Sequence, residues 1–222
     1  MGKGKLYGVS VGPGDPELMT LKAVRIIREA DVIALPHRDK EKCVSYKIAV
    51  QSVPEMDEKE FLMIHMPMTK DREQLKKAHE DGVNAVAEML DRGKNIAFLT
   101  LGDVCIYSSC QYIYQPIKEM GYDTELISGV PSFCAAAARL DRPLVSGEQK
   151  LHIIPASYDF EEYMQLDGVK VLMKAGKNLE RIKALDCKLC GVENCGMDNE
   201  KIYKNKNEIG DKQGYYSLFI AD

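Results

Sequence analysis

The chain has 222 residues, of which 45% are hydrophobic, and its formal net charge is −4 with a sequence pI of 5.7. This length can bury a core in one large or two small domains. Acidic and basic residues are mixed throughout, which argues against a nucleic-acid arm or a polybasic membrane patch. No apolar run suits a membrane span or signal peptide. We therefore expect a cytoplasmic protein whose seven cysteines are reduced thiols.

Strands and helices alternate in the first half of the sequence. "KLYGVSVG" predicts a strand, and "TLKAVRIIREADVI" predicts a helix with Leu21, Val24 and Ile27 on one face. Thr20 could cap this helix, or Asp15-Pro16 could begin it one turn earlier. The segments that follow predict, in order, a strand in "DVIALP", a helix in "SYKIAVQSV", a strand in "FLMIHMPM", a helix in "REQLKKAHEDGVNAVAEMLDRG" and a strand in "NIAFLTLG". This alternation predicts an α/β fold with a parallel sheet.

The second half repeats the pattern with shorter segments. "SSCQYIYQPIKEMG" predicts a helix that ends at Gly121, "DTELISG" a strand and "PSFCAAAARL" a helix. Three further strands are predicted in "KLHIIPA", "KVLMKAG" and "YYSLFIAD". We place the joint between two α/β domains where the helix ends in glycine, which gives domains 1–119 and 120–222.

The glycine-rich stretch "GVSVGPGDPELMT" at residues 8–20 could hold a ligand or could simply turn the chain. A phosphate-binding P-loop would end in Gly-Lys-Ser/Thr, and none is present, while Asp15 would repel an anion. A dinucleotide fingerprint needs a third glycine where Glu17 stands. A tight strand-to-helix turn, in which glycine only relieves the backbone, remains open at this point.

A second loop of the same form, "FLTLGDVCIYSS", covers residues 98–109. Ligands of open α/β sheets bind outside the carboxyl ends of the strands, so the two loops could face one crevice. Gly102 would let a ligand contact the backbone, and Asp103 could accept hydrogen bonds from ribose hydroxyls or attract a cation. A cationic ligand with a ribose and no phosphate suits both loops.

Three segments together resemble the tetrapyrrole (corrin and porphyrin) methyltransferases: "LYGVSVGPGDPELMTLKAVRIIREADVI", "LTLGDVCIYSS" and "ISGVPSFCAAAARLDRPL". The resemblance implies two α/β domains with a cleft between them, S-adenosylmethionine as methyl donor, a tetrapyrrole acceptor and a homodimer. Within the family, "HMPMTKD" (65–71) and "VLMKAGKNLERI" (171–182) are most similar to enzymes that methylate C20 of precorrin-2 or cobalt-factor II.

The same resemblance assigns site residues in this sequence. The implied cofactor contacts are Pro13, Leu101, Gly102, Asp103, Ile106, Pro131, Ser132, Met173 and Cys195. The sequence departs from the family pattern at Val104 and Ser128, where proline is usual, at Pro131, where threonine is common, and at Cys195, where glycine is common. Asp15 and Tyr107 are candidate catalytic residues, with a helix start and a packed aromatic as their alternatives. His37, Arg38, Lys70 and Arg142 could receive the acceptor's carboxylates, or could be solvated charges.

The cysteines of "CKLCGVENC" offer an alternative site. Cys187 and Cys190 have a chelate spacing, and Cys195 follows, but no fourth ligand lies nearby in the sequence. We therefore expect no protein-bound metal. Two other functions remain open: a non-catalytic module that binds a nucleoside-like ligand, and a methyltransferase of the same family acting at another corrinoid position or on a protein in diphthine synthesis.

Overall fold

The computed structural model describes residues 2–211 and 213–222. The chain divides into two compact units, one ending at Val130 and one beginning at Pro131. Each unit has its own five-stranded sheet. Within the described residues, no helix is both long enough and apolar enough to cross a membrane.

The first unit is a parallel α/β sheet with helices between its strands, as the sequence predicted. Its strands are Lys5–Ser10 (β1), Val32–Leu35 (β2), Glu60–Met63 (β3), Ile96–Thr100 (β4) and Asp123–Ile127 (β5). Its helices are Leu21–Glu29 (α1), Val44–Ser52 (α2), Arg72–Asp91 (α3) and Gln111–Glu119 (α4). The strand order is β3-β2-β4-β1-β5, and all pairs are parallel.

The central strand β4 is buried along its whole length, because helices cover both faces of the sheet. Successive side chains point to opposite faces. Leu99 belongs to one apolar cluster together with Ile27, while Phe98 belongs to the other together with Val86. The sheet therefore fixes the ends of its strands between two cores.

Both predicted starts of the first helix are used. Asp15 accepts a hydrogen bond from the Glu17 amide (2.9 Å) and caps a single turn, and Thr20 accepts one from the Ala23 amide (3.2 Å) and caps α1. Leu21, expected on the buried face, is instead 89% exposed. As the first helical residue, its side chain leans toward the helix N-terminus and away from the core.

The domain boundary expected at residues 119/120 is too early by one strand. β5 pairs in parallel with β1 in the first sheet, with Gly8 opposite Leu126. The pairing places Asp123–Ile127 in the first unit, so the division falls after Val130. The glycine at position 121 ends a helix and does not separate two domains.

The second unit contains a mixed sheet, so the expectation of a parallel sheet was wrong for this half. Its strands are Leu151–Pro155 (β6), Val169–Met173 (β7), Leu189–Glu193 (β8), Lys201–Tyr203 (β9) and Ser217–Ala221 (β10), and its helices are Ser132–Arg139 (α5) and Leu179–Lys183 (α6). The order is β6-β7-β10-β8-β9, and only β6 and β7 are parallel. The last strand inserts between β7 and β8 and runs antiparallel to both.

Candidate cofactor site

The two glycine loops contact each other directly at the carboxyl ends of β1 and β4. The Gly102 amide donates to the Gly12 carbonyl (2.7 Å), and the Gly12 amide donates to the Gly102 carbonyl (3.3 Å). Both residues have positive φ, 77° and 72° for Gly12 and Gly102, which residues with a side chain rarely adopt. Glycine at these two positions therefore lets the loops pair through their backbones.

Gly102 combines burial with open space. It is buried, yet a Cβ added to it would meet no atom within 4 Å. In the same loops Pro13 is buried, and Leu101 and Ile106 are half-buried. A ligand that approached Gly102 would therefore contact backbone and apolar side chains.

Asp103 is held by hydrogen bonds from two backbone amides, from the Ser128 hydroxyl and from the Cys105 thiol. Its Oδ1 accepts from the Cys105 amide (2.8 Å), and its Oδ2 accepts from the Ser128 hydroxyl (2.7 Å) and from the Gly129 amide (2.8 Å). An ionised carboxylate offers about four acceptor positions. The protein supplies four donors for these positions, so the side chain holds the loop, and its expected bonds from ribose hydroxyls stay a prediction.

The electrostatics of Asp103 follow from these bonds. Burial, at 6% exposure, acts to raise the pKa of the carboxyl. The hydrogen bonds from Gly129, Ser128 and Cys105 outweigh burial, and the pKa lies below its ordinary value. The carboxylate is thus a fixed negative charge at neutral pH, which suits a cationic ligand.

The exit of β5 completes the arrangement. A Cβ on Gly129 would overlap the Cβ of Ser10, so this glycine is needed for close packing. The Ser10 hydroxyl, fully buried at the end of β1, accepts from the Val104 amide (2.8 Å). The ends of β1, β4 and β5 are thereby locked together. Sequence reasoning missed Ser10 as a site residue, although a serine inside an apolar strand was a visible signal.

The two candidate catalytic residues lie in the same loops. Asp15 follows β1 and caps the short turn described above. Tyr107 follows β4, has a positive φ of 48° and is 45% exposed. The helix-start alternative for Asp15 is therefore present in the structure, and a packed aromatic does not describe Tyr107. Neither the capping bond of Asp15 nor the exposure of Tyr107 tests a catalytic role, so both roles stay predictions.

The remaining predicted cofactor residues belong to the second unit. Pro131 precedes α5, and its carbonyl accepts from the Cys134 amide (3.1 Å), while Ser132 is the first helical residue. Met173 is the half-buried last residue of β7. Cys195 is buried and follows Asn194, whose φ is 52°. These positions lie at strand ends or a helix start, and their cofactor roles stay predictions.

Glu193, which precedes this turn, was missed by sequence reasoning. Its carboxylate is buried and accepts from the Gly214 amide (2.6 Å) and the Tyr203 hydroxyl (3.1 Å). These bonds attach the Asn194–Cys195 turn to the segment before β10. The only sign in the sequence was a single acidic residue at the end of a short apolar run. Single acidic residues are also common on solvated loops, so this sign did not indicate a buried carboxylate.

The basic residues expected to face the acceptor are not equivalent. His37, Arg38 and Lys70 follow β2 and β3, whose exits are adjacent because the Leu35 carbonyl accepts from both the His37 and the Ile64 amides (2.8 and 2.9 Å). Arg142 instead pairs with Asp222 at 2.9 Å. Its charge is partly compensated by this half-exposed pair, and its role toward the acceptor stays a prediction.

The cysteines do not gather into a metal centre within the described ranges 2–211 and 213–222, where no group of three or more His, Cys, Asp or Glu residues could hold an ion. Cys190 lies in β8, with its Sγ 3.6 Å from Nη1 of Arg142. Burial raises the pKa of the Cys187 and Cys190 thiols. Both thiols are therefore protonated at neutral pH.

Comparison with known proteins identifies the family. The model of the tetrapyrrole (corrin/porphyrin) methylases matches residues 5–209. The chain belongs to this family. It is 36% identical to the "Probable cobalt-precorrin-2 C(20)-methyltransferase" of Methanocaldococcus jannaschii, over 97% of this chain and 95% of that protein. It is 29% identical to the cobalt-precorrin-2 C(20)-methyltransferase of Salmonella typhimurium, covering 99% and 96% of the two chains.

Solved structures support the fold. The uroporphyrin-III C-methyltransferase of Thermus thermophilus, solved with S-adenosylhomocysteine, superposes with a TM-score of 0.70 at 20% identity, covering 98% of this chain and 97% of that one. At this identity the likeness shows a shared tetrapyrrole methylase fold. The resemblance inferred from the glycine loops is confirmed by the family match and by this fold.

Proposed function

We propose that this protein transfers the methyl group of S-adenosylmethionine to C20 of precorrin-2 or its cobalt-loaded form in corrin biosynthesis. The observation that carries the proposal is the Gly12–Gly102 bridge with open space beside a buried Gly102. The similarity to relatives named as C20-methyltransferases, across nearly their whole length, supports the choice of acceptor.

The site suits the methyl donor without a protein nucleophile. The backbone at Gly102 would hold the nucleoside, and the negative charge of the Asp103 carboxylate favours the sulfonium cation. The electron pair of the acceptor's C20 forms the new carbon–carbon bond as the sulfur–methyl bond breaks, and C20 then loses a proton. Orientation of these atoms supplies most of the acceleration.

The residues that follow β2 and β3 would bind the tetrapyrrole acceptor. Arg38 and Lys70 are exposed and, within the described residues, have no ion-pair partner, while Met68 is 86% exposed between them in the chain. Cations suit the carboxylates of the macrocycle, and exposed methionine suits its apolar face. We assign Asp15 and Tyr107 to the acceptor's side of the reaction and propose a cytoplasmic homodimer as the working form.

Mass and NMR spectra of the product test the function. Purified protein is incubated with carbon-13-methyl S-adenosylmethionine and either precorrin-2 or cobalt-factor II in parallel. We expect one added methyl, located at C20, with one of the two acceptors. A methyl at another position would reassign the acceptor specificity, and cofactor binding without transfer to either acceptor would favour a non-catalytic nucleoside-binding module.

A further inference from the structure

Ser128 occupies an unusual place in the cofactor site. The ends of β4 and β5 are not neighbours in the sheet, because β1 lies between them. Asp103 nevertheless connects them, since it follows β4 and its Oδ2 accepts from Ser128 and Gly129, which follow β5. The connection passes over Ser10 at the end of β1.

Ser128 supplies the side-chain donor to Asp103 that comes from outside the Asp103 loop, because the Cys105 thiol, which also donates, belongs to that loop. Two further donors are the backbone amides of Cys105 and Gly129, which substitution cannot remove. The Ser128 hydroxyl lies 2.7 Å from Oδ2, a short distance typical of a hydrogen bond to an ionised carboxylate. Ser128 itself is exposed, so its removal leaves no buried cavity.

We propose that Ser128 is a positioning residue for the cofactor, because its hydroxyl fixes the Asp103 carboxylate and with it the loop Leu101–Ile106. The inference rests on the proposed function, since it assigns a role within the same site. Donors from both the loop and the β5 exit give the carboxylate a defined orientation. Loss of the Ser128 bond removes one of the two connections from Asp103 to the β5 exit and leaves the Gly129 amide as the other, so the carboxylate is held less firmly.

The bond also affects the charge of Asp103. Hydrogen bonds to the ionised form favour it, so removing one raises the pKa of the carboxyl. The ionisable group nearest in the loop is the Cys105 thiol, whose pKa is itself raised by burial and by Asp103. That thiol stays neutral in acid. The loss of cofactor affinity as pH falls, which we call the acid limb, would therefore report protonation of the Asp103 carboxylate.

The test compares Ser128→Ala, Ser128→Thr and a control, Ser146→Ala, an exposed serine of the second unit. The dissociation constant for S-adenosylhomocysteine is measured by calorimetry from about pH 7 to about pH 3, a range that passes below the ordinary pKa of aspartate. We expect roughly tenfold weaker binding for Ser128→Ala, as for a lost bond to a charged group. Its acid limb should move to higher pH, Ser128→Thr should restore both properties, and the control should match the unmodified protein.

Three results are distinguishable failures. If the unmodified protein binds S-adenosylhomocysteine and Ser128→Ala binds it equally well with the same acid limb, the role of Ser128 is wrong while the proposed function stands. If the unmodified protein does not bind the nucleoside, the proposed function itself fails. Weaker binding by Ser128→Ala with an unmoved acid limb and no rescue by threonine would indicate a purely structural effect and would also overturn the inference.

Discussion

Replacement of Gly102 by alanine separates backbone strain from loss of ligand space. Gly102 has a φ of 72°, and a Cβ there would meet no protein atom within 4 Å. Alanine would therefore cause no clash in the free protein and would cost only the left-handed conformation, about 1–2 kcal/mol of stability. In the complex its methyl group would occupy the space that a ligand needs to reach the backbone.

Gly121 provides a matched control. Its φ is 82°, a Cβ there would likewise meet nothing within 4 Å, and it lies after α4, outside the two glycine loops. Gly121→Ala should thus lose about as much stability as Gly102→Ala, again about 1–2 kcal/mol. Any difference in cofactor affinity between the two variants reports ligand space and not strain.

The expected magnitude follows from the contacts at risk. Losing a hydrogen bond or close contact with a charged ligand costs about 1.5–3 kcal/mol, which corresponds to a roughly ten- to hundredfold higher Kd. Calorimetry with S-adenosylhomocysteine measures the Kd, and thermal unfolding measures the stability of both variants. Gly102→Val, whose side chain is larger, should abolish binding. Equal affinities for Gly102→Ala and Gly121→Ala would refute the assignment of this loop to the cofactor.

Three further predictions concern charge, acid stability and metal. Asp15→Asn keeps the cap of the short turn, so stability and cofactor affinity should hold while turnover falls about a hundredfold; unchanged turnover would restrict Asp15 to capping. The pKa of Asp103 is lowered in the folded protein, so its ionised carboxylate stabilises the fold above the unfolded pKa, and this contribution is lost as pH falls below about 4. In Asp103→Asn the free energy of unfolding should therefore fall less steeply with pH below about 4 than in the unmodified protein. An identical pH dependence in the two proteins would contradict this prediction. A strong chelator should leave the thermal midpoint unchanged; a large drop would mean that Cys187 and Cys190 hold a structural ion.

The sequence by itself determined the first unit well. Buried parallel strands and amphipathic helices leave local patterns, so β1 to β5 and their helices were predicted in order. The glycine loops were visible because positive φ and close approach demand glycine at a few positions, as Gly12 and Gly102 show. These requirements are local, and they were enough to identify the family.

Only the tertiary structure decided which strands are neighbours and which loops meet. β5 joins the first sheet beside β1, and β10 inserts between β7 and β8. The sequence of neither strand predicts which strand it pairs with. The partners of Asp103 illustrate the same limit, since Ser128 lies 25 residues away in the chain. A carboxylate's hydrogen bonds depend on strand order, which is set by how whole elements pack, so sequence spacing alone could indicate an acid at the site but not what holds it.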